Sequence, residues 1–221
     1  MLLEGVGENL QDHLQLRLVY KVNNALTLNK LVRSPVGALK IASSFIGKKE
    51  GPLTMAPSQL GAFIKSSYEP GWPDLQYHIQ PLSLNAFGEP LHPFNGITMS
   101  ICNLRPTSRG SVRVQGLNHN QQPSILPNYL SSDQDKKKAA ESIRFTRKVM
   151  QTRTLTKYSP EEYWPGNSFT TEEELVKKAG DIGTSIFHPC GTCKMGSDDK
   201  SVVDSRLRVH GLSNLRVVDA S

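Results

Sequence analysis

Alternation of apolar and polar residues is the first signal along the chain. Over residues 14–22, Leu14, Leu16 and Leu18 alternate with Gln15 and Arg17, which predicts a strand. Residues 75–80 alternate as cleanly: Leu75, Tyr77 and Ile79 share one face, and Gln76, His78 and Gln80 share the other. Residues 97–104 read as an apolar strand, and residues 111–115 as another, entered from a turn at Arg109-Gly110. No helical period separates the last three segments, so they predict an antiparallel sheet. Helical spacing appears over residues 36–46, closed by Gly51-Pro52, and over 133–151, where Ala139, Ile143, Thr146 and Met150 share a face. A third helix is expected over 171–179. Thr171 and Glu174 form a capping-box pair, and Gly180 is positioned to end the helix. Residues 1–13 read as a polar, glycine-containing turn, and 207–209 and 215–218 as short β-like pieces. The pattern is that of an α+β fold, a mostly antiparallel sheet with helices on one face.

Composition excludes several classes. Hydrophobic residues make up 37% and charged residues 21% of the chain, enough to build a core. The net charge of +6 suits an anionic partner, but the basic residues are scattered. The one run, Lys136–Lys138, reads as a solvated helix face. No recognition-helix, zinc-finger or RNA-binding signature accompanies the charge, so no nucleic-acid role is expected. No apolar stretch is long enough for a spanning helix, and the first five residues turn polar too soon for a secretory signal. Three cysteines, Cys102, Cys190 and Cys193, argue against a disulfide scaffold and fit a reducing compartment. The expected location is cytoplasmic, or peripheral on the inner face of a membrane.

The densest candidate for chemistry is the run from Phe187 to Gly196, with sequence Phe-His-Pro-Cys-Gly-Thr-Cys-Lys-Met-Gly. Cys190 and Cys193 have the spacing of a redox pair, but Gly196 and the polar residues after it leave no room for the helix such a site needs. They also have the spacing of half a zinc site, but no second cysteine pair exists, and no metal is expected. His188 is a candidate acid/base group, since an imidazole titrates near neutral pH. These residues alone leave the three readings open.

The run from His188 to Gly196 resembles the C-terminal signature of the glucose–methanol–choline (GMC) family of flavin-dependent oxidoreductases. It is followed by Val202-Val203-Asp204, by residues 207–212 and by residues 215–221, ending in Asp219-Ala220-Ser221. Residues 5–13, 104–110 and 127–129 resemble further family segments, in family order and across nearly the whole chain. The resemblance implies FAD as cofactor and oxidation of a primary alcohol by hydride transfer to the flavin. It implies that His188 is the catalytic histidine, that Asp219 and Ala220 lie by FAD, and that His78 and Gln15 face the substrate. It places residues 1–15 and 186–221 in the FAD-binding domain and 16–185 in the substrate-binding domain, and makes Cys190 and Cys193 packing residues. The electron acceptor is left open.

Against the family pattern, no Gly-x-Gly-x-x-Gly turn is present, and the sequence stops before the residue that pairs with the catalytic histidine. The expectation is therefore a C-terminal portion of a longer enzyme, inactive alone; the alternative is a pseudoenzyme or interaction module. Choline-specific members carry glutamate where this chain has Gln15, and no Trp-Trp element occurs between residues 20 and 50. Choline is thus not the expected substrate, although Tyr77 and Phe87 remain as aromatic faces for a cation. Asp12 and His13 read as turn-capping and packing groups.

Overall fold

The structure is a computed structural model describing residues 3–56, 58–86 and 88–221. It divides into two compact units. Unit 1 comprises residues 1–14, 105–136 and 185–221, and unit 2 comprises residues 15–104 and 137–184. The segment 105–136, which the sequence reading placed with the substrate-binding residues, clusters with the two terminal segments instead.

Unit 2 is built on a sheet of strands β1 (Leu14–Lys21), β2 (Leu60–Ile64), β3 (Leu75–Gln80), β4 (Gly96–Asn103), β7 (Glu161–Trp164) and β8 (Gly183–Ser185). The order is β2-β3-β4-β1-β7, with β8 also pairing β1. The pairings β2–β3, β3–β4, β4–β1 and β1–β7 are antiparallel. Together with its helices this is the expected α+β architecture.

Register fixes the two faces. Leu16, Ile101 and Tyr77 lie opposite one another, as do Leu18, Met99 and Ile79, so the apolar residues of three strands form one surface. Helix α3 (Asp133–Met150) supplies Ala139, Ala140, Ile143 and Thr146, all buried. Thr146 meets the Tyr77 hydroxyl at 2.6 Å. Tyr77 therefore belongs to this apolar surface, which removes it as an aromatic face for a cation; Phe87 lies outside the described residues. Burying a side chain such as Ile143 or Leu18 contributes on the order of 1.5–3 kcal/mol.

The same helix corrects one expectation. Lys138 is not on a solvated face: its ammonium sits 2.7 Å from the Asp74 carboxylate, and both side chains are almost fully buried. Charge runs alone cannot reveal a partner 64 positions away. Farther along α3, Arg147 grips Glu162 of β7 through Nε at 2.8 Å and Nη2 at 2.9 Å.

Helix α5 (Glu172–Ile182) has the predicted capping box, Glu174 N–H donating to the Thr171 hydroxyl and Thr171 N–H to the Glu174 carboxylate. It does not stop at Gly180. It runs on to Ile182, because Ala179 and Ile182 are both buried, and it ends at Gly183 with a negative φ. Helix α2 (Pro35–Lys48) exceeds its predicted span at both ends and closes on Lys49 in the left-handed conformation. A short helix α1 (Leu28–Arg33) precedes it.

Unit 1 carries a small hairpin, β5 (Ser111–Arg113) with β6 (Ser124–Leu126). The β-like tail pieces are isolated bridges, Val203 with Val209 and Arg208 with Arg216, around a core of Val202, Val203 and Val209. Cys193 packs against that core, and Cys190 bridges Gln11 through its backbone. Among the described residues no helix is long and apolar enough to cross a membrane.

Candidate active site

In unit 1 the glycine turn lets the N-terminal segment run against its neighbours. Gly7 has φ +80, and a Cβ there would lie 2.0 Å from the Val112 carbonyl oxygen, so no side chain fits. Leu10 then exchanges backbone hydrogen bonds with Gly110, and Gln11 with Cys190. This sets the next residue, Asp12, beside the loop that ends in His188. One Asp12 oxygen accepts from the His188 backbone N–H at 3.0 Å. The other accepts from the Ser185 hydroxyl at 2.6 Å and from the Tyr129 hydroxyl. Burial, and then the bond to Asp12, push the Tyr129 phenol up to about 12, so it stays a donor. The Ser185 hydroxyl in turn accepts from the Phe187 N–H at 2.9 Å. Phe187 has φ +65, a costly conformation for an aromatic residue. Asp12 and its partners hold the loop through that bend.

The bend presents an exposed His188 whose Nδ1 lies 3.3 Å from Nδ1 of His13, the rings meeting edge to face. His188 is followed by Gly191, whose N–H donates to the Ala220 carbonyl at 2.9 Å. Gly191 has φ +92, and a Cβ there would press on the Asn9 carbonyl at 2.6 Å. The tail thus reaches the His188 segment through Ala220, with Asp219 one residue earlier. Asp219 accepts from the Ser221 hydroxyl and, at 2.8 Å, from its N–H; these bonds hold its carboxyl below the usual range. An exposed carboxylate of this kind suits a polyol hydroxyl donor. The cysteines are free thiols, and the residues after Cys193 form turns.

In unit 2 the second sheet face is polar yet largely sealed. Strand register makes three rows on it: Gln15–Cys102–Gln76, Arg17–Ser100–His78 and Val19–Thr98–Gln80. Gln15, Arg17, Thr98, Ser100 and Gln80 are all buried, and His78 is half-buried. The predicted substrate residues Gln15 and His78 therefore share one face, in neighbouring rows. A cavity of about 510 Å³ opens on Arg17 and Val19, with His92, Asn85, Tyr163 and Trp164 among its walls.

Sequence reading grouped His188, Asp219 and Ala220; all three lie in unit 1, where the Ala220 carbonyl accepts from Gly191, three residues after His188. It read Asp12 as a turn-capping group, and Asp12 does cap the loop of residues 185–188, through partners far along the chain that the sequence does not reveal. It also gave no weight to Arg17 or His92: a basic residue on a strand's polar face and a histidine in a loop carry no periodic signal.

The family described as GMC oxidoreductase matches residues 106–221. This chain belongs to that family. Oxygen-dependent choline dehydrogenase of Escherichia coli is 39% identical over 222 residues, covering 99% of this chain and 39% of that protein. The choline dehydrogenase of the same name from Proteus mirabilis is 37% identical over 219 residues, with the same coverage. The chain spans about two-fifths of the length of these relatives. Among solved structures, a formate oxidase variant of Aspergillus oryzae, whose FAD modification was followed, superposes with a TM-score of 0.88. It is 23% identical and is matched over 99% of this chain and 43% of its own. Pyridoxine 4-oxidase from Mesorbium loti gives 0.77 at 26% identity, covering 99% and 39%.

Proposed function

We propose that the chain is part of an FAD-dependent enzyme that oxidises a primary alcohol to an aldehyde, with His188 as its acid/base group. The observation that carries this reading is the loop ending in His188, fastened by Asp12 and presenting its ring to His13. With His188 Nδ1–H donating to His13 Nδ1, the His188 Nε2 lone pair is available to take the alcohol's hydroxyl proton. The imidazolium so formed offsets the negative charge that grows on the substrate oxygen, which eases loss of hydride from the neighbouring carbon. FAD, when bound, would supply the two-electron acceptor for the hydride that leaves the alcohol carbon, while His188 would hold the hydroxyl proton.

The residues present fit part of FAD. Asp219 offers a charged acceptor for the hydroxyls of the ribityl chain, and Ala220 fixes the tail beside Gly191. The chain offers no Gly-x-Gly-x-x-Gly turn for the pyrophosphate. We assign unit 1 to the cofactor side and unit 2 to the substrate side, with Gln15 and His78 on the substrate-facing surface. The named relatives act on choline, but a neutral, buried Gln15 and a guanidinium on the same strand face favour an alcohol without a cationic head.

For location we favour peripheral membrane contact through α1 and α2. Residues 14–49 contain no Asp or Glu, while Lys30, Arg33, Lys40, Lys48 and Lys49 lie in and beside these helices. Val36, Leu39 and Ile46 are exposed on one face of α2. Basic residues around an exposed apolar stripe complement an anionic lipid surface.

The test is rapid-mixing reduction of the flavin-loaded enzyme by alcohol. His188→Ala is expected to slow reduction about 100-fold or more while alcohol affinity changes little. Unchanged reduction would overturn the assignment.

A further inference from the structure

A chain of hydrogen bonds leads from the buried interior of unit 2 to the wall of its cavity, and each bond in it has a fixed direction. It begins at Asn29, which is fully buried. Asn29 Oδ1 accepts from the Ser83 backbone N–H at 2.8 Å, and Nδ2 donates to the backbone carbonyls of Ser83 at 2.8 Å and His92 at 3.0 Å. A backbone N–H only donates and a carbonyl only accepts, so these bonds fix which end of the amide is nitrogen. The same Nδ2 lies 3.3 Å from the Ser83 hydroxyl oxygen, which accepts there.

Ser83 is itself fully buried, so its hydroxyl proton needs an acceptor. His92 Nδ1, 3.0 Å away, is that acceptor, which puts the ring proton on Nε2. A neutral ring suits the site: burial first, and then the charge of Arg17, push the His92 pKa below the ordinary histidine value, against an opposing effect of Glu89. The ring is held by stacking on Phe94 and by edge contact with Tyr163. Its Nε2–H then donates to Asn85 Oδ1 at 2.8 Å. The last amide is thereby oriented: His92 takes its oxygen, and the two hydrogens of Nδ2 are left, with no acceptor among the described residues.

Asn85 is exposed and lines the cavity of about 510 Å³. Val19, Leu84, Ile182 and Trp164 give that cavity apolar sides. Its two charged wall groups are already engaged, Arg17 within the protein and Asp181 with the Lys178 ammonium at 2.8 Å. A ligand there meets neutral polar groups, and Asn85 is the one whose hydrogen-bonding sense the fold has set.

We propose that Asn85 is a specificity-determining residue whose side-chain N–H binds an uncharged acceptor oxygen of the substrate, so that the alcohol oxidised carries a second oxygen, as an ether, carbonyl or hydroxyl. An amide donor among apolar walls selects by what is lost without its partner: once a substrate displaces water, a methylene at that position leaves the N–H unpaired. A trimethylammonium group offers no acceptor, and an anion would gain more from a cation than from an amide. The proposal rests on the reading of unit 2 as the substrate side of an alcohol-oxidising enzyme.

The experiment compares 3-methoxy-1-propanol and 2-ethoxyethanol with 1-pentanol as reductants of the flavin-loaded enzyme. The ether alcohols differ from 1-pentanol by an oxygen in place of a methylene. In the parent, kcat/KM for the better ether alcohol is expected to exceed that for 1-pentanol about fivefold or more. Asn85→Asp keeps an acceptor for His92 and removes the N–H, and Asn85→Leu removes both; in each the ratio should fall to about one or below. Nitrogen NMR of the parent should show His92 protonated on Nε2. The Asn85 amide signals should move on addition of 1,2-dimethoxyethane, which has no hydroxyl to oxidise. A parent ratio near one, a ratio that either variant preserves, or a His92 protonated on Nδ1 overturns the proposal. If no alcohol reduces the flavin, alcohol oxidation fails instead, and the amide signals decide: movement with dimethoxyethane upholds Asn85 as the donor, and no movement overturns it.

Discussion

Nδ1 of His13 and Nδ1 of His188 lie 3.3 Å apart, close enough for one hydrogen to lie between them. Whichever ring donates, the other must accept, so His13 constrains which nitrogen of His188 carries the proton. His13 is a positioning residue on this view. His13→Leu should lower kcat about 10-fold or more with little change in KM, whereas His13→Asn, which keeps an acceptor, should recover much of the loss. Equal kcat for the two variants would show that His13 merely fills space.

Asp12 is the second lever on His188. Removing it frees the His188 N–H, the Ser185 hydroxyl and the Tyr129 hydroxyl at once. Asp12→Ala should cost roughly 1–3 kcal/mol of stability and lower flavin reduction further than its melting loss explains. Tyr129→Phe removes one donor and should cost about 1 kcal/mol, with reduction largely kept. Thermal melts beside stopped-flow traces distinguish the two.

Much of this was legible from residue order, and the limits were physical. Period-two alternation placed β1 and β3 and their faces, because register follows side-chain geometry, while β4 was readable only as an apolar run. The capping box of α5 was readable because Thr171 and Glu174 are local. Gly180 was misread because a local stop signal yields to burial of Ala179 and Ile182 beyond it. Lys138 was misread because its partner is Asp74, and the capping role of Asp12 was legible only in kind, because its partners Tyr129, Ser185 and His188 are distant in sequence. Short strands such as β7 and β8, held by the neighbouring β1, have too few residues to show a period.

The Lys138–Asp74 pair predicts a pH effect. Burial by itself would raise the Asp74 carboxyl. Hydrogen bonds from Lys138 and from the Ser66 N–H and hydroxyl, with the Lys138 charge, outweigh it and hold the carboxyl below its ordinary value of 3.8. A depressed folded-state value means stability that is complete above pH 3.8 and lost as pH falls through the folded value. Lys138→Met should cost about 3–5 kcal/mol by leaving the carboxylate buried without its counter-ion. Because protonation then relieves that carboxylate, the gap between parent and variant should narrow as pH falls below 4. Urea melts at pH 7 and pH 3.5 measure both; a gap independent of pH would count against the pair.

Gln15 predicts substrate preference. Its side chain is 2% exposed, on the face that carries Arg17. A trimethylammonium group there would meet the Gln15 amide dipole and the Arg17 guanidinium. At an effective dielectric near 20, a unit charge about 4 Å away changes the interaction by on the order of 4 kcal/mol before solvent effects. Choline should be a poor substrate for the flavin-loaded enzyme, and Gln15→Glu should shift kcat/KM toward choline and away from 1-butanol. A parent that prefers choline would remove Gln15 as the selector.

Membrane contact through α2 should appear in sedimentation with vesicles. Binding is expected to phosphatidylserine-containing vesicles and not to pure phosphatidylcholine, to weaken with salt, and to drop in Leu39→Glu with Ile46→Glu. Those side chains are 70% and 73% exposed, so the fold should tolerate the change. Equal binding by this variant would place the contact elsewhere.

The division of unit 1 into three stretches governs when it can form. Residues 1–14 leave the ribosome before the rest of unit 1, yet His13 gains its partner, and Asp12 the last of its partners, only after His188 has been made. Both strips of unit 2 are synthesised in the interval. Loop closure over so long an interval is entropically slow, so unit 2 has the opportunity to fold before unit 1 is complete. The segment that presents His188 therefore gains its contacts with residues 12 and 13 late, after unit 2 has been made.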